Sequence, residues 1–283
     1  MLRIALPNKG ALSDGAVDIA LAAGYRCCRS NKELMVVDAH NGVEFVFLRP
    51  RDIPVYVAGG ILELGITGRD LVLDSEADVE ELLPLGFGRS TFRYAVPVDD
   101  PRTPDQFGGL RIATSYPNLV RADMHRRGAD VHIVRLDGAV EISIRLGVAD
   151  VVADVVESGR TLSQAGLKTV GDAILSSEAV VIGGPKSDTS AENETSRFLR
   201  RLNGILVARE YVMVEYDCPR SLVEAATKVT PGIEAPTIAP LSEQNWVAVK
   251  AMAPKRDVNA IMDQLAELGA RGTIITDIRT CRL

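Results

Sequence analysis

Two α/β lobes around a cleft, followed by a small domain of βαββαβ order, is the fold class that this 283-residue sequence predicts. Three observations predict it. Short apolar runs alternate with helical patterns through residues 1–90, and the alternation resumes after a turn-rich break at PVDDPRTP. From residue 211 the order of elements changes to strand, helix, strand, strand, helix, strand.

In chain order, LRIAL (2–6) reads as a strand and residues 13–23 as a helix. VEFVFL (43–48) is a second strand, RDIPVYVAGG a short helix stopped by Gly59 and Gly60, and LELGIT (62–67) a third strand. RSTFRYAV (89–96) is a strand that leaves this unit. RIATS (111–115) is a strand, 117–127 a helix, VHIVRL (131–136) a strand, and AVEISIRLG (139–147) a helix stopped by Gly147. The apolar run VVADVV, the turn Ser158-Gly159-Arg160-Thr161 and a helix start at Leu162 follow. LKTVGDAIL (167–175) and EAVVIGG (178–184) complete a second unit over 91–183. The polar, then helical, KSDTSAENETSRFLRRL returns the chain to the first lobe. The expected division is therefore 1–90 with 184–210, then 91–183, then 211–283.

In the last part, YVMVEYD (211–217), EAPTIAPL (234–241), NWVAVKAMA (245–253) and TIITDIRTCRL read as strands. PRSLVEAATKV is a helix with Pro in its first turn. Residues 254–269 form an amphipathic helix with Val258, Ile261, Met262, Leu265 and Leu268 on one face. This is the ferredoxin-like split unit shared by many small regulatory domains.

A formal net charge of -6 removes the electrostatic term on which general nucleic-acid binding depends. No apolar run approaches the ~20 residues that span a bilayer, and no signal-peptide pattern follows Met1. A cytoplasmic protein without membrane or nucleic-acid partners is expected. Cys27, Cys28, Cys218 and Cys281 have no C-x-x-C spacing and no nearby His, so they read as reduced thiols and no protein-built metal cluster is expected.

The chemistry concentrates in DVVADVVESGRTL (150–162). A turn between strand and helix can aim backbone N–H groups and the hydroxyls of Ser158 and Thr161 at an anion, phosphate above all, and the helix start adds its dipole. Asp154 stands where a carboxylate accepts hydrogen bonds from sugar hydroxyls. Taken alone, SGRT is equally an ordinary turn and cap. The loop resembles that of purine-salvage phosphoribosyltransferases, but those place two adjacent acids before it, and here only Asp154 stands at that point.

The longer run EISIRLGVADVVADVVESGRTL resembles the signature of ATP phosphoribosyltransferases, through Glu141, Gly147, Ala149, Asp154, Val155, Ser158, Gly159, Thr161 and Leu162. RIALPNKGALSD, ELGITGRDL (63–71) and RIATSYPNLV (111–120) are similar to other segments of that family, and the tail is similar to its long form. The resemblance implies a two-lobed core like that of periplasmic binding proteins and an ACT-like C-terminal domain that binds histidine as feedback inhibitor. It implies transfer of the 5-phosphoribosyl group of phosphoribosyl diphosphate (PRPP) to N1 of ATP with release of diphosphate, the first step of histidine synthesis. Mg²⁺ would travel with the diphosphate. Inhibition by AMP and assembly of dimers into hexamers are further implications.

Site residues follow from it. Asp154, Ser158, Gly159, Arg160, Thr161 and Leu162 are candidates for PRPP, and Lys9, Arg49, Asp70, Leu71 and Tyr116 for ATP or AMP. Lys9, Glu141 and Asp154 are the catalytic candidates; Asp217, Thr237 and Thr273 are candidates for histidine. Each has a plainer alternative: a solvated Lys or Arg, a half-buried loop Tyr, a surface Glu on a helix, or strand-end turn chemistry. Arg69 is the weaker cationic candidate in the first lobe. Two other functions stay open on residues alone: a two-lobed binding or sensor module without catalysis, and a phosphoribosyltransferase acting on another base.

Overall fold

The computed structural model describes residues 1–30, 33–184 and 189–282. These fall into two compact units, Met1–Leu21 with Tyr25–Ser196 and Ala22–Gly24 with Arg197–Leu283. The first unit holds two sheets and the second holds one.

The first sheet begins with β1 (Leu2–Pro7), whose residues are buried on both faces except Arg3, as a central parallel strand requires. Helix α1 (Ala11–Ala22) buries Ala16, Ile19 and Ala20, the i, i+3, i+4 stripe of its sequence. Next come β2 (Met35–Asp38), β3 (Val43–Leu48), α2 (Ile53–Ala58), β4 (Leu64–Gly68), α3 (Arg69–Ser75) and β5 (Glu80–Pro84). β3 and β4 flank β1 in parallel. The short elements β2, α3 and β5 are absent from the sequence reading. β2 and β5 are edge strands with exposed or charged residues, so neither shows a sustained apolar period.

The second sheet contains β6 (Ser90–Pro97), β7 (Arg111–Thr114), β8 (His132–Arg135), β9 (Val151–Val156) and β10 (Leu167–Ser177), in the order β10-β6-β9-β7-β8. Helix α4 (Pro117–Arg126) follows β7, and the short α5 (Arg160–Gln164) follows β9. Phe92, Tyr94, Phe107, Ile112 and Met124 fill one face, while Ala95, Ala113, Val152 and Leu162 fill the other.

Two expectations are corrected here. Residues 139–147 do not form a helix: a single 3₁₀ turn, Val140–Ile142, is followed by turns. Val140 is buried with Ile144 packed beside it, while Ile142 and Leu146 are exposed, so the buried stripe is too short to sustain a longer helix. The run 178–184 does not complete the second unit. Its strand β11 (Ala179–Gly183) pairs antiparallel with β4 and β5 in the first sheet. Every residue of β11 is buried, which fits an interior strand of either sheet, and an apolar run does not encode which. The chain thus crosses between sheets twice, entering β6 and leaving β10.

Residues 185–188 of the expected return segment lie outside the described residues. Helix α6 (Thr189–Glu210) follows, and the boundary between the compact units falls within it, at Ser196 and Arg197, rather than after 210.

The second unit carries β12 (Tyr211–Pro219), α7 (Val223–Val229), β13 (Thr237–Pro240), β14 (Trp246–Pro254), α8 (Val258–Glu267) and β15 (Arg271–Asp277). The antiparallel order β13-β14-β12-β15 is that of the ferredoxin-like split unit. Even-numbered residues of β12 (Val212, Val214, Tyr216 and Cys218) are buried against Ile261 and Leu265 of α8.

Candidate active site

β9 carries the central acid. Val151, Val152 and Ala153 are fully buried and anchor the strand, and Asp154 follows at the point where burial relaxes. Its carboxylate accepts the N–H of Val155 at 2.8 Å. Burial pushes its pKa above the ordinary carboxyl value, and the neighbouring charges of Glu141 and Asp70 add to the shift, while Arg51 opposes it. Glu141 lies in the 3₁₀ turn after Ala139, whose φ of 48° is left-handed. The fold therefore brings Glu141 and Asp154 within electrostatic reach, although 13 positions separate their numbers. Arg93 stands opposite Asp154 across β6 and β9, yet its guanidinium donates to the carbonyl of Gly171 at 2.8 Å.

The loop after β9 turns at Gly159, whose φ of 71° is a conformation glycine adopts freely. Ser163 donates to the Gly159 carbonyl at 3.0 Å and Ala165 to that of Thr161 at 3.1 Å. The N–H groups of Arg160, Thr161 and Leu162 precede that ladder and have no acceptor within the helix. Ser158, Arg160 and Thr161 are exposed and Gly159 is half-buried. Leu162 is buried in the core beneath, so its side chain anchors the loop and only its backbone is available to a ligand.

A cavity of about 200 Å³ is lined by Lys9, Asp70, Leu71 and Tyr116 together with Val155 and Glu157, which flank the central acid and its loop. Four of the five ATP candidates thus converge. Lys9 is exposed just before Gly10, at the carboxyl end of β1. Asp70, only 7% exposed, accepts the Ser177 hydroxyl at 2.6 Å, and its charge acts on the nearby Tyr116 hydroxyl. Burial first, then the charge of Asp70, raises the Tyr116 phenol above its ordinary range. The Tyr116 ring meets Phe92 edge-on at 5.2 Å, and the Arg51 guanidinium lies 4.9 Å from its centroid.

The fifth candidate, Arg49, is exposed after β3, where its carbonyl accepts the Asp52 N–H at 2.9 Å. It is not among the residues that line the cavity. Arg69 is engaged by Glu81 at 2.6 Å and Glu178 at 3.4 Å, the structural role that surface arginines commonly fill.

Sequence reasoning missed Arg51, Asp74 and Ser177. Arg51 shares the run RPRD with Arg49, and period alone does not distinguish them. Asp74 lies four residues after Asp70, a spacing that becomes a signal only once α3 is known to be a helix.

In the second unit, Asp217 pairs in register with Ala248 and Arg271, and Thr237 with Lys250, so Asp217 and Thr237 share one sheet face. Thr273 lies in β15 where its register with β12 shifts. Gly272, at φ 61°, sits in the same bulge, 3.7 Å from the Asp217 carboxylate as measured from an added Cβ.

Comparison with known proteins adds a separate line of information. Residues 49–204 match the family model described as ATP phosphoribosyltransferase, and residues 208–280 match that of the HisG C-terminal domain. The chain is 57% identical to an ATP phosphoribosyltransferase of Salinibacter ruber over the full length of both, and 53% identical to one of Mycobacterium tuberculosis, again over the full length of both. Among solved structures, the ATP phosphoribosyl transferase (HisG:HisZ) complex from Thermotoga maritima aligns with a TM-score of 0.64 and 27% identity. The alignment covers 72% of this chain and 97% of that one.

Proposed function

The chain belongs to the ATP phosphoribosyltransferase family, and from that premise we propose how its own residues carry the reaction. The enzyme transfers the 5-phosphoribosyl group of PRPP to ATP, in the service of histidine biosynthesis. A binding module without catalysis, and transfer to another base, are not favoured beside full-length relatives of that one activity.

The observation that supports the site assignment most is the meeting of the acid-bearing strand end with the cavity holding Lys9, Asp70, Leu71 and Tyr116. PRPP takes the β9 side. The N–H groups and hydroxyls of Ser158 to Thr161 receive the 5-phosphate, with the backbone of Leu162 closing the loop. Asp154 accepts from the ribose hydroxyls, which places C1 at the cavity mouth. ATP enters from the first sheet, with Asp70 and the backbone of Leu71 against its adenylate, Tyr116 beside the base, and Arg49 meeting phosphate from its edge.

Adenine N1 is already nucleophilic, so no strong general base is required. As diphosphate departs, C1 gains oxocarbenium character, and the catalytic demand is orientation and charge stabilisation. Lys9, exposed beside the cavity, neutralises departing phosphate. Asn8 beside it has a buried side-chain oxygen without a partner among the described residues, which suits a ligand donor there.

The Glu141–Asp154 pair fits a divalent cation. A buried carboxylate whose ionisation a neighbouring carboxylate opposes forms a site that positive charge relieves. Mg²⁺ held by this pair and by substrate oxygens would stabilise the leaving diphosphate.

In the second unit, Asp217, Thr237 and Thr273 form the proposed histidine site, with the Asp217 carboxylate paired to the amine or imidazole. Inhibition by histidine and by AMP, assembly from dimers to hexamers, and a cytoplasmic location complete the proposal. So does the division of labour between sheets, ATP on the first and PRPP on the second.

The test is turnover. Asp154→Ala and Thr161→Ala are expected to keep native circular dichroism and to lose diphosphate release from ATP plus PRPP by at least about 10²-fold, the scale of a lost charge-stabilising contact. Full activity in both variants overturns the site. Asp217→Ala is expected to weaken histidine inhibition with basal turnover kept, and unchanged inhibition removes Asp217 from the sensor.

A further inference from the structure

We propose that Asp74 is a positioning residue for the ATP wall of the cleft: it caps helix α4 from the opposite sheet and thereby fixes Tyr116. The inference rests on reading this cleft as the ATP site.

Helix α4 begins badly on its own. Its N-cap is Tyr116, which offers no side-chain acceptor to the first turn, and Pro117 follows. The N–H groups of Asn118 and Leu119 would be left without partners. Asp74, on α3 of the other sheet and 5% exposed, supplies what the helix lacks. One oxygen, Oδ1, accepts from Asn118 N–H at 2.9 Å and from Leu119 N–H at 3.2 Å. The Asn118 side-chain amide also donates to the Asp74 carbonyl at 2.7 Å. Three donors of the first turn of α4 thus end on one residue, a capping arrangement made between two helices, with the charge sign that the α4 dipole favours.

The second carboxylate oxygen, Oδ2, accepts Arg51 Nη1 at 3.0 Å, and the same guanidinium covers the Tyr116 ring. Asp70, one turn earlier on α3, lies near enough to the Tyr116 hydroxyl for its charge to act on it. Tyr116 is therefore fixed at its backbone through the cap and at its ring through Arg51. Asp74 controls both while contacting neither substrate in this arrangement. A misplaced Tyr116 wall acts on ATP before it acts on PRPP, whose loop lies after β9.

Steady-state kinetics with both substrates test this. Asp74→Ala is expected to raise KM for ATP about tenfold, the size of a lost N-cap of ~1 kcal/mol or slightly more, with KM for PRPP within about twofold of the parent. Asp74→Asn retains the capping oxygen but not the acceptor for Arg51, and is expected to recover part of that loss, which a role in bulk stability alone would not produce. Unchanged KM for ATP in Asp74→Ala, or equal damage in the Asn variant, overturns the proposal. Should Asp74→Ala fail to fold, Asn118→Ala removes the side-chain bond to the Asp74 carbonyl together with an exposed contact to Arg121. It is expected to raise KM for ATP by about threefold with native circular dichroism, and no change overturns the proposal. Asp154→Ala serves as the separating control. If it kills turnover while Asp74→Ala is normal, the site stands and the cap role falls. If it leaves turnover intact, the site reading itself falls.

Discussion

Ser177 and Asp70 hold each other twice: the Ser177 hydroxyl donates to the Asp70 carboxylate at 2.6 Å and accepts the Asp70 N–H at 3.0 Å. Ser177 ends β10 in the second sheet, and Asp70 opens α3 beside the first. The pair lies where the chain crosses back into β11, two residues later.

Ser177→Ala leaves the Asp70 N–H buried without that acceptor. A buried unpaired donor costs about 1–3 kcal/mol, which for a chain of this length lowers Tm by several degrees, at roughly 2–4 °C per kcal/mol. Calorimetry on the purified variant measures it. A Tm equal to that of the parent would show that water or another group replaces the hydroxyl without cost.

Asp154 is an acid whose pKa is raised in the folded state by burial and by Glu141 and Asp70. The sign follows from linkage. Below the unfolded pKa both states are protonated and no penalty exists. As pH rises from the ordinary carboxyl value through the raised folded value, the folded state is penalised, and above that the penalty is complete. Asp154→Asn is therefore expected to have a higher Tm than the parent at pH 7 while lacking activity, and the gap should narrow as the pH is lowered towards the ordinary carboxyl range. Equal or lower Tm at pH 7 contradicts this. The same raised pKa predicts an acid limb in kcat/KM for the parent, since ribose and Mg²⁺ contacts need the carboxylate.

The neighbouring thiols Cys27 and Cys28 should differ sharply. Cys27 is fully buried, and burial pushes its pKa up to about 12, whereas Cys28 is exposed. Thiolate is the reactive form. Native iodoacetamide labelling at pH 8 followed by peptide mass spectrometry is expected to modify Cys28 at least about tenfold faster than Cys27, and buried Cys218 should be protected as well. Comparable rates at 27 and 28 would mean that the segment opens readily.

Much of the architecture was legible in residue patterns. The alternation in β12 and the apolar stripe of α8 each specify a buried face by period alone, so the βαββαβ unit follows. The turn at 158–161 was legible too, because small polar residues between an apolar strand and a helix start leave the first N–H groups of that helix without partners within it.

Tertiary structure decided the rest, for one recurring reason: periodicity describes which face is buried but not which partner buries it. Nothing in EAVVIGG names the first sheet, and β11 joins it only through pairing with β4 and β5. Nothing in EISIRLG states that Ile142 and Leu146 stay exposed and that the helix gives way to a turn. Nothing in the numbering brings Glu141 within electrostatic reach of Asp154; the fold does. The wall at Tyr116 depends on Asp74 and Arg51, 42 and 65 positions earlier in the chain. Such contacts arise from long-range packing, and only the folded chain brings their residues together.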